Sequence, residues 1–282
     1  IFVVNFRIMW FRILIVFVIF WISACAPNIR ITETYKSNQK KTAEVVKGEG
    51  STAKVVKIIE YYSEGQIKSE ANITNEKLDG KYLAFHSNGI VSQKGQFKLG
   101  KEKGKWIYYD TKGQIDSTHT YKGGLLDGKT EYNVYGKLII NQEYKAGKKN
   151  GGFVEYYTDG NKKVTGSYLM NLPNNEWTWF DLKESKTRQI NFKNGLKDGD
   201  FKVWKDDKLY LVGIFDKDKK SGTWKWHRTK KQLDSLVTYV NGEINGPYEA
   251  WYNNGILSLK GSFKIGVPIG KWEWFSENNT LD

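Results

Sequence analysis

Residues 94–106 read Lys-Gly-Gln-Phe-Lys-Leu-Gly-Lys-Glu-Lys-Gly-Lys-Trp, and this order of ring, turn residue, glycine and second ring returns along most of the chain. Counterparts of Gly104 follow one another at intervals of 23 or 24 residues. A period of this length indicates a small structural unit that is stacked many times, because one unit cannot bury its own apolar face. We name these the marker positions: Gly80, Gly104, Gly128, Gly151, Asn175, Gly199, Gly222, Gly246 and Gly270.

Other residue types keep a fixed distance from the markers. A turn-forming residue, such as Gly100, stands four positions before each marker from Gly104 onward. A large ring follows two positions after the markers, except at Thr130. The aromatic residues seven positions before the markers are Phe97, Tyr121, Tyr144, Tyr168, Phe192, Phe215, Tyr239 and Phe263. Such regular rings are first of all expected to pack against each other, and Phe192 and Phe215 are expected in the core.

Each unit is predicted to be a β-hairpin. The dipeptides Asn88-Gly89, Asp159-Gly160 and Asn254-Gly255 are typical of hairpin turns, because Asn, Asp and Gly tolerate positive φ. In residues 106–108 and 272–274, two rings flank a residue of another type, as in Trp106-Ile107-Tyr108. Because side chains alternate between the two faces of a strand, the two rings of each triplet are expected on one face. The 28 glycines spread through the units disfavour helix.

Residues 94–106 and 260–272 resemble MORN repeats, whose core is aromatic-x-x-Gly-x-x-x-Gly. The resemblance covers Ile58 to the C-terminus. Rings such as Trp106 and Trp224, two positions after the marker, are similar to the bacterial MORN-variant family, some of whose members are labelled toxin–antitoxin system antitoxins. The resemblance implies an all-β fold: an elongated, single-layer, twisted antiparallel sheet of about nine hairpin units plus a terminal half unit over residues 58–282. It implies no catalytic residue and no cofactor.

The N-terminal segment has the pattern of an export signal. An apolar run over residues 13–21 precedes Ile22, Ser23, Ala24 and Cys25, and these four residues resemble a bacterial lipobox. Residues 1–25 are therefore predicted to be a lipoprotein signal peptide, with Cys25 as the lipidated residue and Met9 as the preferred start. An uncleaved membrane anchor or a bystander thiol is the alternative.

Residues 26–57 are polar and show no periodicity, which predicts a flexible tether between the lipid and the sheet. Within this stretch, residues 52–59 alternate weakly and are a candidate first strand.

The chain has 44 Lys and Arg against 31 Asp and Glu, a formal charge of +13. Lysines in turns and at strand edges keep a sheet soluble, which explains the excess without a ligand. The other explanation is an anionic partner such as phospholipid, lipopolysaccharide or glycan. No nucleic acid is expected, because no arginine cluster accompanies base-stacking rings.

Some rings are surplus to the repeat. Trp179, Trp204, Trp226 and Trp251 are the candidate binding residues; they lie four or five residues after successive markers and need not share one face. A single-layer sheet cannot bury both faces, and exposed apolar area marks contact sites.

Nothing in the sequence points to catalysis or to a metal. His86, His119 and His227 occupy different phases of different units, and the Asp-Gly pairs at 79–80, 127–128 and 198–199 are typical of turns. The sequence therefore predicts a non-enzymatic, lipid-anchored scaffold in the cell envelope, specifically an outer-membrane lipoprotein of a Gram-negative bacterium. Its expected partner is an envelope protein, with anionic lipid or glycan, edge-strand self-association, or an antitoxin-like partner as alternatives.

Overall fold

The computed structural model describes residues 28–281 and contains one antiparallel sheet of 22 strands. Strands pair with their neighbours in chain order, apart from the two-residue β9, which pairs with β8 while β8 also pairs with β10. Strands β1 and β22 each pair on one side only, so the sheet is open. The predicted all-β fold, a single antiparallel sheet of hairpin repeats, is confirmed.

The strands are defined by the following bounds, with one short 3-10 helix at Gly50–Thr52: β1 (Asn28–Thr34), β2 (Lys40–Lys47), β3 (Lys54–Tyr61), β4 (Ile67–Thr74), β5 (Lys77–Phe85), β6 (Val91–Lys98), β7 (Lys101–Tyr109), β8 (Ile115–Lys122), β9 (Leu125–Leu126), β10 (Gly128–Val134), β11 (Lys137–Lys145), β12 (Lys148–Tyr156), β13 (Lys162–Leu169), β14 (Leu172–Phe180), β15 (Lys186–Lys193), β16 (Leu196–Lys205), β17 (Lys208–Asp216), β18 (Lys219–Thr229), β19 (Gln232–Val240), β20 (Glu243–Trp251), β21 (Leu257–Lys264) and β22 (Val267–Trp274).

The tether prediction for residues 26–57 is wrong over the part that the structure describes. Strands β1 and β2 form a hairpin there, and β2 pairs with β3. Ala43 of β2 is fully buried opposite Ile59. Polar composition misled the prediction because backbone pairing holds these strands while β1 itself is exposed along its whole length. The predicted signal peptide and lipobox lie outside the described residues.

Nine tight turns join the hairpins from β4–β5 to β21–β22. Both central residues of each turn have positive φ, as at Leu99 (50°) and Gly100 (82°), which is the geometry of type I′ hairpin turns. In the eight turns after the first, the second turn residue also donates its backbone N–H to the strand that follows the preceding turn, as from Gly100 to the Leu78 carbonyl of β5 at 2.8 Å. The positive φ and the donated N–H together explain why a turn-forming residue stands four positions before the marker. The dipeptides Asn88-Gly89, Asp159-Gly160 and Asn254-Gly255 lie in the longer turns between hairpins.

Each marker lies in a bulge of the strand that follows a tight turn. In the first such hairpin, Ala71 pairs with Tyr82 and Ile73 pairs with Leu78, so three residues around Gly80 oppose one residue. All nine markers have positive φ, in two classes. The first class, with φ between 103° and 117°, comprises Gly80, Gly128, Gly151, Gly199 and Gly246; the second, with φ between 62° and 69°, comprises Gly104, Asn175, Gly222 and Gly270. Asparagine tolerates the second region, which explains Asn175.

Most buried apolar side chains lie on one face of the sheet, although Ala43 and Ile59 are buried on the other. We name the face that carries Tyr82, Trp106, Phe153, Trp177 and Trp224 the aromatic face, because the strand register places these rings in one row. The opposite face carries cross-strand ion pairs such as Lys57–Glu70 (2.9 Å) and Lys260–Glu273 (2.6 Å). A sheet with one packed face and one solvated face is typical of antiparallel architecture.

Candidate functional site

The aromatic face is built from clusters of three rings. In the first cluster, Phe97 meets Tyr82 edge-on with 5.4 Å between ring centroids and meets Trp106 edge-on at 5.0 Å, while Tyr82 and Trp106 are 5.5 Å apart. These distances lie in the range in which aromatic pairs stabilise beyond their buried area. Three further clusters repeat the arrangement: Phe153, Tyr168 and Trp177; Phe201, Phe215 and Trp224; and Tyr248, Phe263 and Trp272.

Each cluster depends on a glycine beneath its tryptophan. A Cβ on Gly213 would lie 2.3 Å from the Trp224 ring, so only glycine leaves room for the indole. The Trp224 indole N–H then donates to the Ile214 carbonyl at 3.2 Å. The same pairs recur as Gly95–Trp106, Gly166–Trp177 and Gly261–Trp272. Sequence reasoning missed this signal: a glycine stands nine positions before the marker wherever a tryptophan stands two positions after it.

The same row is polar in one place, which we name the polar interruption: His119, Thr130 and Gln142 on β8, β10 and β11. Thr130 is fully buried and Gln142 is 2% exposed. His119 Nε2, Thr130 Oγ1 and Gln142 Oε1 are buried and have no hydrogen-bond partner among residues 28–281. Unpaired buried polar atoms are costly, so this part of the sheet is less well satisfied than the clusters of Trp106, Trp177 and Trp224, whose indole N–H groups donate to backbone carbonyls.

Tyrosines surround His119. Its ring lies 4.8 Å from the Tyr108 ring and 5.5 Å from the Tyr132 ring, and its Nδ1 lies 3.2 Å from the Tyr121 hydroxyl. Burial lowers the pKa of His119, with Asp116 acting weakly in the other direction. Burial also raises the pKa of Tyr144, beside Tyr132, to about 12. The enclosure therefore favours neutral side chains.

The structure does not gather the four candidate tryptophans into one site. Trp179 and Trp226 lie on the aromatic face, in register with Val164 and Leu211. Trp204 and Trp251 directly follow residues of that face in their strands and so lie on the opposite face. All four rings are half-buried. Two of the four candidate rings therefore lie on each face of the sheet, and their role in binding stays a prediction.

Cations border the exposed part of the aromatic face. The Arg188 guanidinium lies 4.2 Å from the centre of the Trp179 ring, within a shallow groove that Lys163 and Lys205 also line. Lysine ammonium groups cover other rings, as Lys220 does at 4.5 Å from Trp224 and 4.7 Å from Tyr239. Phe192 and Phe215, expected in the core, are half-buried and contact Trp177 and Trp224.

The remaining sequence candidates stay apart. His86, His119 and His227 lie in different hairpins, and His86 Nε2 is 2.9 Å from the Tyr109 carbonyl. Over residues 28–281, no group of three His, Cys, Asp and Glu side chains could hold a metal ion. In that same range, no helix has the length and apolar character required to cross a bilayer. Ile22, Ser23, Ala24 and Cys25 lie outside the described residues.

Comparison with known proteins identifies part of the repeat. Residues 55–75, 78–99 and 102–122 match the family model described as MORN repeat variant, so three consecutive repeats, from β3 to β8, are of this type. No curated protein matches the chain.

Similar solved structures include a mutant Tc holotoxin pore of Photorhabdus luminescens, 12% identical, with a TM-score of 0.22 over 90% of this chain and 15% of that chain. A crystal structure of TcdB2-TccC3 with Cdc42 is 11% identical, with a TM-score of 0.21 over 90% of this chain and 17% of that chain. The chain thus spans less than a fifth of the length of these matched chains.

Proposed function

We propose that this protein is a lipid-anchored, non-enzymatic repeat scaffold of the bacterial cell envelope that mediates protein–protein interaction. One observation carries the proposal: a single open sheet presents four copies of one three-ring cluster on a face that nothing else in residues 28–281 covers. Repeat surfaces of this kind suit extended contacts shared by adjacent units. The lipobox pattern at residues 22–25 supports the anchor and an outer-membrane location.

The anchor is tested by metabolic labelling with a fatty-acid analogue. We expect the parent chain to incorporate the label and Cys25→Ser to lose it. Label retained in Cys25→Ser, or absent from the parent, would refute the lipoprotein assignment without touching the scaffold. The scaffold is tested by cross-linking from the aromatic face in intact cells, where a discrete protein adduct is expected.

A second candidate function is binding of an anionic phospholipid, lipopolysaccharide or glycan through the aromatic face. The cations beside rings, above all Arg188 over Trp179 and Lys220 over Trp224, favour it. Charge-led binding falls steeply with ionic strength, whereas contact between apolar surfaces does not. Binding that survives high salt would therefore favour the protein partner over the anion.

A further inference from the structure

The tight turns form one continuous edge of the sheet, and three of four consecutive turns there carry large, exposed apolar side chains; the remaining one, residues 145–148, is Lys-Ala-Gly-Lys. The four turns are residues 122–125, 145–148, 169–172 and 193–196, and each donates a backbone N–H to the strand that follows the turn before it, as from the Gly195 N–H to the Pro173 carbonyl at 2.9 Å. They carry five large side chains that are each between 43 and 54% exposed. We name these the turn patch: Leu125, Leu169, Met170, Leu172 and Leu196.

The turn patch is held rigidly. Met170 has a φ of 52°, a left-handed conformation that a bulky residue adopts only when its surroundings impose it. Those surroundings include the hydrogen bonds between Asn171 and Lys149, at 2.9 and 2.7 Å. Leu172 lies over Gly195 of the next turn, 3.2 Å from where a Cβ would stand, so apolar surface continues from turn to turn. A preorganised surface binds without an ordering cost of its own.

The four turns carry an excess of positive charge, although the Glu102 carboxylate lies beside Gly124 of the first turn. The four turns contain Lys122, Lys145, Lys148 and Lys193 and no acidic residue. None of these lysines forms an ion pair with a residue in the described range. The carboxylate of Asp127, which follows the first turn, accepts the Ala146 N–H at 3.2 Å.

Other turns on the same edge differ. Leu99 is 63% exposed in the position equivalent to Met170, but Lys98 beside it pairs with Asp79 at 3.1 Å. Residues 216–219 read Asp-Lys-Asp-Lys. Residues 264–267 also expose Ile265 (62%) and Val267 (60%), beside Lys264, but in a single turn. Among the turns of residues 28–281, the turn patch is distinguished by its extent, because its five apolar side chains and four lysines are spread over four consecutive turns.

We propose that the turn patch binds an acidic amphipathic segment of a partner protein, a proposal that rests on the scaffold function above. Successive tight turns are two strands apart, so four turns span roughly 29 Å, the length of a helix of about 19 residues. Neighbouring strands in sheets rotate by about 20–25°, so the outer turns of the patch point in different directions. A polypeptide segment that bends with the sheet can follow such an edge, whereas a flat bilayer would touch one or two turns.

The test uses a fluorescent amphipathic peptide of leucine and glutamate, about 20 residues long, titrated against the full chain by anisotropy. We expect the double variant Met170→Ser/Leu172→Ser to weaken binding at least tenfold. Leu99→Ser, which removes a more exposed leucine from the equivalent position of another turn on the same edge, is the control and should leave the affinity unchanged. Near-ultraviolet circular dichroism of the ring clusters checks that both variants keep the fold.

Three results would overturn the proposal. The first is equal affinity of the parent and the double variant, and the second is equal affinity for a peptide in which lysine replaces glutamate. The third is patch-dependent sedimentation with phosphatidylglycerol vesicles in the absence of peptide binding, which would make the occupant a membrane. In each case, a protein adduct still formed by cross-linking from the aromatic face would leave the scaffold function standing. Failure of the turn-patch proposal can therefore be distinguished from failure of the scaffold proposal.

Discussion

The ring cluster around Trp224 and the polar interruption around Thr130 occupy equivalent places in the repeat yet satisfy their atoms differently. Trp224 is 1% exposed, contacts three rings and donates its indole N–H to a backbone carbonyl. Thr130 is equally buried, but its hydroxyl has no partner, like the atoms beside it on His119 and Gln142. The comparison teaches that a repeat sheet can keep its backbone pairing while its local stability varies from hairpin to hairpin.

The largest effect is expected from breaking the ring cluster. Trp224→Ala should cost about 3–5 kcal/mol in the free energy of unfolding, because it removes a fully buried ring that its neighbours cannot replace. Gly213→Ala should also destabilise strongly, since the new methyl would overlap the indole at 2.3 Å. Denaturant unfolding monitored by circular dichroism provides the measurement.

A variant that carries both Trp224→Ala and Gly213→Ala sharpens this prediction. With the Trp224 ring removed, Gly213→Ala should cost little more, so the two changes should be far from additive. Additive costs would mean that the glycine is required for its backbone conformation rather than for the space it leaves.

A smaller effect is expected from the two marker classes. Gly246→Asn should cost about 1–3 kcal/mol, because φ is 117° and a Cβ would lie 3.2 Å from the Thr238 Cβ. Gly222→Asn should be nearly neutral, because φ is 64° and nothing lies within 4 Å of the added Cβ. Asn175 already occupies the equivalent position at 62°. Equal midpoints of denaturation for the two variants would disprove the division into classes.

Much of the fold could be predicted from the sequence. The period, the turn residues and the rings specify the hairpins and the single sheet, because each reports a local backbone or packing demand. The pairing of Gly213 with Trp224 was visible in the sequence as a covariation of two positions, but its meaning depends on which strands are neighbours.

The rest was hidden for physical reasons. Strands β1 and β2 gain their order from pairing with β3, so their polar composition alone indicated a tether. The division of Trp179 and Trp204 between two faces follows from strand register. The exposure of Met170 and the unpaired state of the lysines around it depend on tertiary contacts that no spacing encodes.

Repairing the polar interruption should stabilise the protein. Thr130→Val keeps the shape and removes a buried hydroxyl without a partner, so we expect a gain of about 1 kcal/mol. Thr178→Val is the matched control: Thr178 is 4% exposed, but its hydroxyl donates to Glu176 at 3.1 Å, so the same change should destabilise. The two changes in unfolding free energy should have opposite signs, and a loss at Thr130 would show that its hydroxyl is satisfied in solution.

The smallest effect is a pH dependence located in the polar interruption. Burial lowers the pKa of His119 below its usual 6.5, so the unfolded chain takes up a proton at a pH where the folded chain does not. The stability that the neutral imidazole contributes is therefore present above about pH 7 and decreases as the pH falls through 6.5 toward the folded-state pKa. His227, whose pKa is also lowered by burial and by Lys225, acts in the same direction. His119→Gln should reduce the change in the denaturation midpoint between pH 7.5 and pH 5. The reduction should be larger than for His227→Gln, because rings rather than solvent surround His119. An unchanged slope in His119→Gln would show that this histidine is hydrated when the protein is folded.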